Sequence, residues 1–341
     1  MKTEKITPTP IYIVGGQREN MQKRINGQMS NFLAINKLVR GFTLIEILTV
    51  ITIIAIMLGI LLPALNQVKK IAANAKQKAQ NSSIEIGLTL YRNDFGEYPP
   101  SHGWDPSLAP GDTNDYKYSG AQTLTEAMFG YDLLGVHPDT VYRADGYDIS
   151  GNSNRLLYPV PSASEPNTTN IGKRKGPYLD RANIGVYEPN QIFSDTATSL
   201  NKKGHMICDV FSFKSEKIGN KRCKIGTPIL YFRANLSPVN MQSISDSSWP
   251  PIPHTENVYN YFDNYFVIVA GRVNEKEHKL YESPADGSNF YDFIRDPMIP
   301  ISGTDSCGRP VRPDSFLLIS AGYDGLYGTS DDICNFEPNI E

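Results

Sequence analysis

Phe42 to Leu62 is a 21-residue run in which Glu46 is the one ionisable side chain. A carboxylate inside a segment suited to lipid is costly and normally has a specific partner. Two roles suit it. It can reach back to the water interface from the first turn of a helix, as long polar side chains do, or it can have a specific functional partner. A second chemical cluster is SAGYDGLYGTSDDICNF (320–336), where Asp324, Asp331 and Asp332 crowd a Gly-rich turn directly after an apolar strand. Carboxylates and turn carbonyls are the ligands of a hard cation such as Ca²⁺, which takes six to eight oxygens. The segment is not an EF-hand: Asp324-Gly325 fits that pattern, but the alternate acids are missing. The competing reading is an ordinary Asp/Gly turn between strands.

No catalytic constellation accompanies these groups, and the chain reads as a non-enzyme. The histidines, at 102, 137, 205, 254 and 278, are scattered, and no H-E-x-x-H, G-x-S-x-G, P-loop or G-x-G-x-x-G occurs. Cys208, Cys223, Cys307 and Cys334 form no C-x-x-C pair and have no His at zinc-ligand spacing. In an exported domain they would allow one or two disulfides, with three connectivities for two bridges. A net charge of −3 gives no basic excess for nucleic acid. KRCK (221–224) and GKRKG (172–176) read as solvated loops, and the N-x-S/T matches at Asn81 and Asn167 carry little weight.

The elements that must carry these groups follow from periodicity. Residues 1–41 are polar and mildly basic, with Lys37 and Arg40 nearest the apolar run. The run itself, 42–62, makes about 32 Å of helix, enough to span hydrocarbon. Pro63 is expected to kink the helix rather than end it. Beyond it, Leu65, Val68, Ala72, Ala75, Ala79, Ser82, Ile86 and Leu90 recur at helical spacing, with Lys69, Lys70, Lys76 and Lys78 outside the stripe or on its borders. One continuous helix to about Tyr91 is expected, its second half (63–95) packing that stripe on a globular region, 96–341. NDFGEYPP stops it. A short helix is expected within 120–135, and strands at 205–213, 228–234, 264–272 and 315–321, separated by long loops at 151–177 and 240–263. No long helix lies between the later strands, so the sheet should be antiparallel and the class α+β.

RGFTLIEILTVITIIAIMLGILLPAL resembles the cleavage and methylation segment of type IV prepilins and type II secretion pseudopilins. A basic leader, Gly41 before Phe42, an acid four residues after Phe42 and a Pro closing the apolar run carry the resemblance. It implies that a prepilin peptidase cuts after Gly41 and methylates the amine of Phe42, so that 1–41 is a removable cytoplasmic leader. That leader is longer than usual, and Met21 or Met29 would serve as an internal start. By the same resemblance, Glu46 pairs with the Phe42 amine of a neighbouring subunit during filament assembly. Charge counting does not orient the span, because lysines follow it too; the resemblance puts the N-terminus in the cytoplasm and the head in the periplasm, as a single-pass inner-membrane protein. LYRNDFGEYPPS (90–101) resembles the helix end of major pseudopilins. Ser320, Gly322, Asp324, Gly325, Asp332 and Ile333 match their C-terminal calcium loop, with Asp331 standing in for an acid near Ser330. GAQTLTEAMFGYDLLGVHPD and KGPYL resemble enlarged pseudopilin-like proteins of planctomycete-type bacteria. The implied function is a structural pseudopilus subunit. Its implied partners are prepilin peptidase, copies of itself, minor pseudopilins, the secretion system's inner-membrane platform and membrane lipid. A membrane-tethered binding protein or a minor pilin-like adhesin using the enlarged head is the alternative.

Overall fold

The computed structural model describes residues 41–103, 117–148, 156–158, 171–193, 200–238, 241–242, 257–270, 278–281, 288–301 and 306–340. The leader expected at 1–41 lies outside the described residues apart from Gly41, as does most of the two long loops. Contacts divide the chain into two units, Met1–Asn66 and Gln67–Glu341. Helix α1 (Leu44–Phe95, 52 residues) is continuous and runs through Pro63. Its best 18-residue window has a mean hydropathy of 2.7 and no buried residue.

In the first unit, Thr49 and Thr52 return their hydroxyls to the carbonyls of Glu46 and Leu48, at 2.9 and 2.7 Å. Their polar groups are thus satisfied within the helix, as lipid requires. Gly59 stands four residues before Pro63, where the proline ring presses on the preceding turn.

The second unit is built on a twisted antiparallel arrangement of short strands. β1 (Gly185–Tyr187) pairs with β2 (Met206–Cys208), and β5 (Leu230–Arg233), β8 (Phe316–Ser320) and β9 (Ile333–Cys334) form a three-stranded sheet in the order β5-β8-β9. A bridge between Cys208 and Pro228, with Ile229 N donating to Ile207 O at 2.9 Å, joins the two. The order becomes β1-β2-β5-β8-β9. β3 (Lys214–Ile218) and β4 (Lys221–Ile225) form a separate hairpin, and β6 (Met241–Gln242) pairs with β7 (Ser306–Gly308).

Side chains alternate across this sheet. Ile207, Ile229, Tyr231, Phe316 and Leu318 share a core with Ile84, Leu88 and Tyr91 of α1 and Leu124, Ala127 and Met128 of α2 (Gly120–Phe129). Met206, Leu230, Phe232, Leu317 and Ile319 face the opposite core, with Tyr261, Tyr265, Val267, Phe290 and Tyr291. The result is two helices, a sheet, and a second layer of short helices.

Several expectations need correction. The apolar run expected as a strand at 264–272 is helical over its described part: a 3-10 turn, Tyr261–Asn264, leads into α3 (Tyr265–Ala270). A short run apolar at every position fits a buried helix as well as a strand, and here the Asn260 side chain accepts from Phe262 N at 3.1 Å to start the turn. The strand at 205–213 is three residues long, because the Asp209 carboxylate draws in the N–H groups of Phe211 and Thr227, at 3.1 and 3.0 Å, and bends the chain. KRCK lies within β4, not a loop. Within GKRKG, the Arg174 side chain is enclosed and grips Asp132 at 2.7 Å through both carboxylate oxygens.

All four cysteines are free thiols, which overturns the disulfide expectation for this fold. Cys208 and Cys334 belong to strands three places apart in the sheet, about 14 Å at the usual strand spacing, beyond disulfide reach.

The largest correction concerns α1. Its buried face is Gln77, Gln80, Asn81, Ile84, Gly87, Leu88 and Tyr91. The stripe from Leu65 to Leu90 expected to face the head is exposed throughout.

Candidate functional site

The N-terminus of α1 is organised by its own sequence. Thr43 is followed three residues later by Glu46, the spacing of a capping box. Thr43 N donates to Glu46 Oε2 at 2.8 Å, Thr43 Oγ1 donates to the same oxygen at 2.9 Å, and Glu46 N donates to Thr43 Oγ1 at 3.2 Å. Glu46 is therefore occupied in capping its own helix while its side chain stays exposed. Sequence reading missed Thr43, although the T-x-x-E signature was there to find. Gly41 and Phe42 precede the helix outside any regular element, with Phe42 81% exposed.

Further along α1, two faces differ in chemistry. The outer face carries Val68, Ile71, Ala72, Ala75, Ala79, Ser82, Ile86 and Leu90, with Ile71 67% and Ile86 62% exposed. The inner face begins with three amides. Val210 N donates to Gln77, Gln77 Nε2 donates to Asn81 Oδ1, and Asn81 Nδ2 donates to Ile333 O, at 2.9, 2.9 and 3.1 Å. Gln80 Nε2 donates to Cys208 O at 2.9 Å. These side chains satisfy backbone groups where β2 and β9 end, which explains why polar residues point inward.

The acidic loop follows β8. Gly322, at φ 67°, approaches the Asp331 carbonyl so closely that a Cβ would stand 2.2 Å from it. The Asp331 carboxylate then accepts Tyr323 N at 2.8 Å, Asp324 N at 3.0 Å and Thr329 Oγ1 at 2.7 Å. Asp324 Oδ1 accepts Leu326 N at 2.8 Å, and Asp332 Oδ2 accepts Gly328 N at 2.7 Å. Asp324 and Asp331 also lie close enough for each side chain to shift the other's titration. Burial raises the Asp324 pKa, and the Asp331 charge adds to that rise. Asp331 stays below the usual carboxylate range, because Thr329 and the N–H groups of Asp324 and Tyr323 outweigh its own desolvation. Asp332 is pushed up to about 8, chiefly by burial.

Of the three expected acids, then, two converge while the third turns to Gly328 and Thr329. Among the described residues no group of three His, Cys, Asp or Glu side chains is arranged to hold a metal. The chemistry that fits the Asp324–Asp331 pair is a proton or a hard cation between the carboxylates, completed by turn oxygens. Thr329, which bonds both Asp331 and Asp332, was not singled out from sequence.

Residues 36–62 match the model of the prokaryotic N-terminal methylation motif. The span includes Gly41, Phe42 and Glu46. The chain is 31% identical over 105 residues to type II secretion system core protein G of Escherichia coli (strain K12), an overlap of 29% of this chain and 72% of that protein. No solved structure matches the chain. The motif and the long apolar helix fit a single-pass inner-membrane protein.

Proposed function

Because this chain belongs to the family of type II secretion system core protein G, we propose that it is a structural pseudopilin, assembling from the inner membrane into a periplasmic pseudopilus. The observation that carries this reading is the exposed apolar face of α1 within the second unit, Val68 to Leu90, which the head leaves uncovered in favour of Gln77, Gln80 and Asn81. An apolar helical face of that length beyond a membrane segment suits packing against the same face of other copies. In this reading prepilin peptidase removes 1–41 after Gly41 and methylates Phe42. Glu46 then leaves its cap to pair with the Phe42 amine of a neighbouring subunit, with copies of itself, minor pseudopilins and the inner-membrane platform as partners. The role is structural rather than enzymatic. Mass spectrometry of protein from cells with active peptidase should find N-methyl-Phe42 as the first residue; a leader still attached would overturn the processing step.

We further propose that Ca²⁺ sits between Asp324 and Asp331, with turn oxygens completing its shell. The ion would offset the repulsion of two neighbouring carboxylates and tie the loop to β8. A ligand that binds only the folded state stabilises it by RT ln(1 + [L]/Kd), about 2.7 kcal/mol at 100-fold excess over Kd. The detergent-solubilised full chain should melt higher in calcium than in chelator, and magnesium should help less, because it resists giving up water. Asp324→Ala should remove the calcium increment. Identical melting in calcium and chelator would leave the loop as an acidic turn.

A further inference from the structure

Glu126 lies on α2, takes no part in the helix start or the acidic loop, and is 3% exposed. Its Oε2 accepts the Tyr118 hydroxyl at 2.8 Å and its Oε1 accepts Thr140 Oγ1 at 2.7 Å. Tyr118 lies just before α2 and Thr140 in the turn region after it. One carboxyl group therefore fastens both flanks of the helix to its middle. Two residues beyond Thr140, the Tyr142 hydroxyl donates to Tyr91 OH on α1, so the fastening extends to the last turns of the long helix.

The donors to Glu126 among the described residues are two neutral hydroxyls. The other titratable groups that feel its charge are Tyr91, Tyr131, Tyr142 and Tyr158, each raised chiefly by its own burial and further by Glu126. No cation figures among the groups that shift Glu126, and the arginines around these tyrosines are paired with other acids. Arg174 stacks over Tyr158 at 5.0 Å while gripping Asp132, Arg143 forms an ion pair with Asp145 at 2.8 Å, and Arg233, whose charge lowers the Tyr91 pKa, forms an ion pair with Glu97 at 2.6 Å. His137 Nδ1 accepts Asp139 N at 3.1 Å. An ion buried without a counter-charge is expensive, and the usual escape is to take up a proton.

We propose that Glu126 is a proton-operated staple: protonated, it lets 117–142 close around α2 and against the end of α1, and on losing its proton it loosens that segment. Burial lifts its folded-state pKa to about 7 against the two hydroxyl bonds, whereas an opened segment would titrate near 4.3. The folded carboxyl therefore holds its proton over a range in which the opened one has lost it. Closure weakens as pH rises from about 4.3 to about 7 and is constant above that window, by up to about tenfold per pH unit for one proton. This inference is independent of filament assembly and of calcium.

The test is hydrogen exchange by mass spectrometry on the detergent-solubilised full chain between pH 5 and 8.5, corrected for intrinsic exchange rates. Protection of peptides within 117–142 should fall as pH rises towards 7 and then level off. Glu126→Gln should flatten that profile. Tyr118→Phe removes a donor that favours the ionised carboxyl, so its midpoint should move to higher pH, and this variant decides the matter if Glu126→Gln fails to fold. A flat wild-type profile, an unchanged profile in Glu126→Gln, or an unmoved midpoint in Tyr118→Phe would each overturn the proposal.

Discussion

Glu46→Gln should insert, lose its leader and still fail to assemble. Glutamine at the third helical position keeps the reciprocal bond to Thr43 N that closes the capping box, so the helix start survives. The negative charge does not, and the amine on Phe42 of a neighbouring copy would then enter lipid unpaired. Breaking a poorly hydrated ion pair by removing one partner costs about 3 kcal/mol or more, roughly a hundredfold in subunit association. Glu46→Leu removes both charge and cap, the cap alone being worth about 1 kcal/mol. Crosslinking between subunits in membranes reads the difference. If Glu46→Gln crosslinks like wild type and only Glu46→Leu fails, Glu46 is a helix cap and nothing more.

How far the sequence could be read depended on whether hydropathy alone decides the outcome. The apolar segment and the Glu46 anomaly were legible because nothing else explains a charge in such a run. α2 was legible from Leu124 and Met128 between glycines, and β5 and β8 from compact β-branched and aromatic runs bounded by turn formers. The run from Asn264 was not, because apolar residues at consecutive positions carry no period, and a side-chain cap at Asn260 decided for helix. The orientation of α1 has a deeper reason. Both of its faces have helical spacing, and the more apolar of the two is the outer one. The strand ends at Cys208 and Ile333 offer bare carbonyls to the helix, so amides serve better there than aliphatic groups. That requirement comes from residues more than a hundred positions away and leaves no local trace. The acidic loop was legible as a cluster, but not its division: Thr329 and the N–H groups of Tyr323, Asp324 and Gly328 decide which carboxylates meet.

The two faces of α1 predict opposite behaviour for a pair of substitutions. Asn81→Leu makes the helix more apolar at a fully enclosed position, yet it should destabilise the head. It leaves Gln77 Nε2 and the Ile333 carbonyl without their present partner, and each stranded buried group costs about 1–3 kcal/mol, roughly 2–4 for the two after partial relaxation. For a unit of this size that is a fall in Tm of roughly 5–15 °C. Ile86→Lys lies on the outer face, where a single exposed side chain changes stability by about 0.5 kcal/mol at most. Its melting should match wild type. Assembly should reverse the order, with crosslinking nearly abolished in Ile86→Lys, because a charge in a helix-to-helix apolar contact has no counterion there, and retained in Asn81→Leu below its melting point. If Asn81→Leu melts at or above wild type, the amide chain contributes nothing and apolar burial alone holds α1 to the head. If Ile86→Lys assembles normally, the exposed stripe is not the face on which subunits meet.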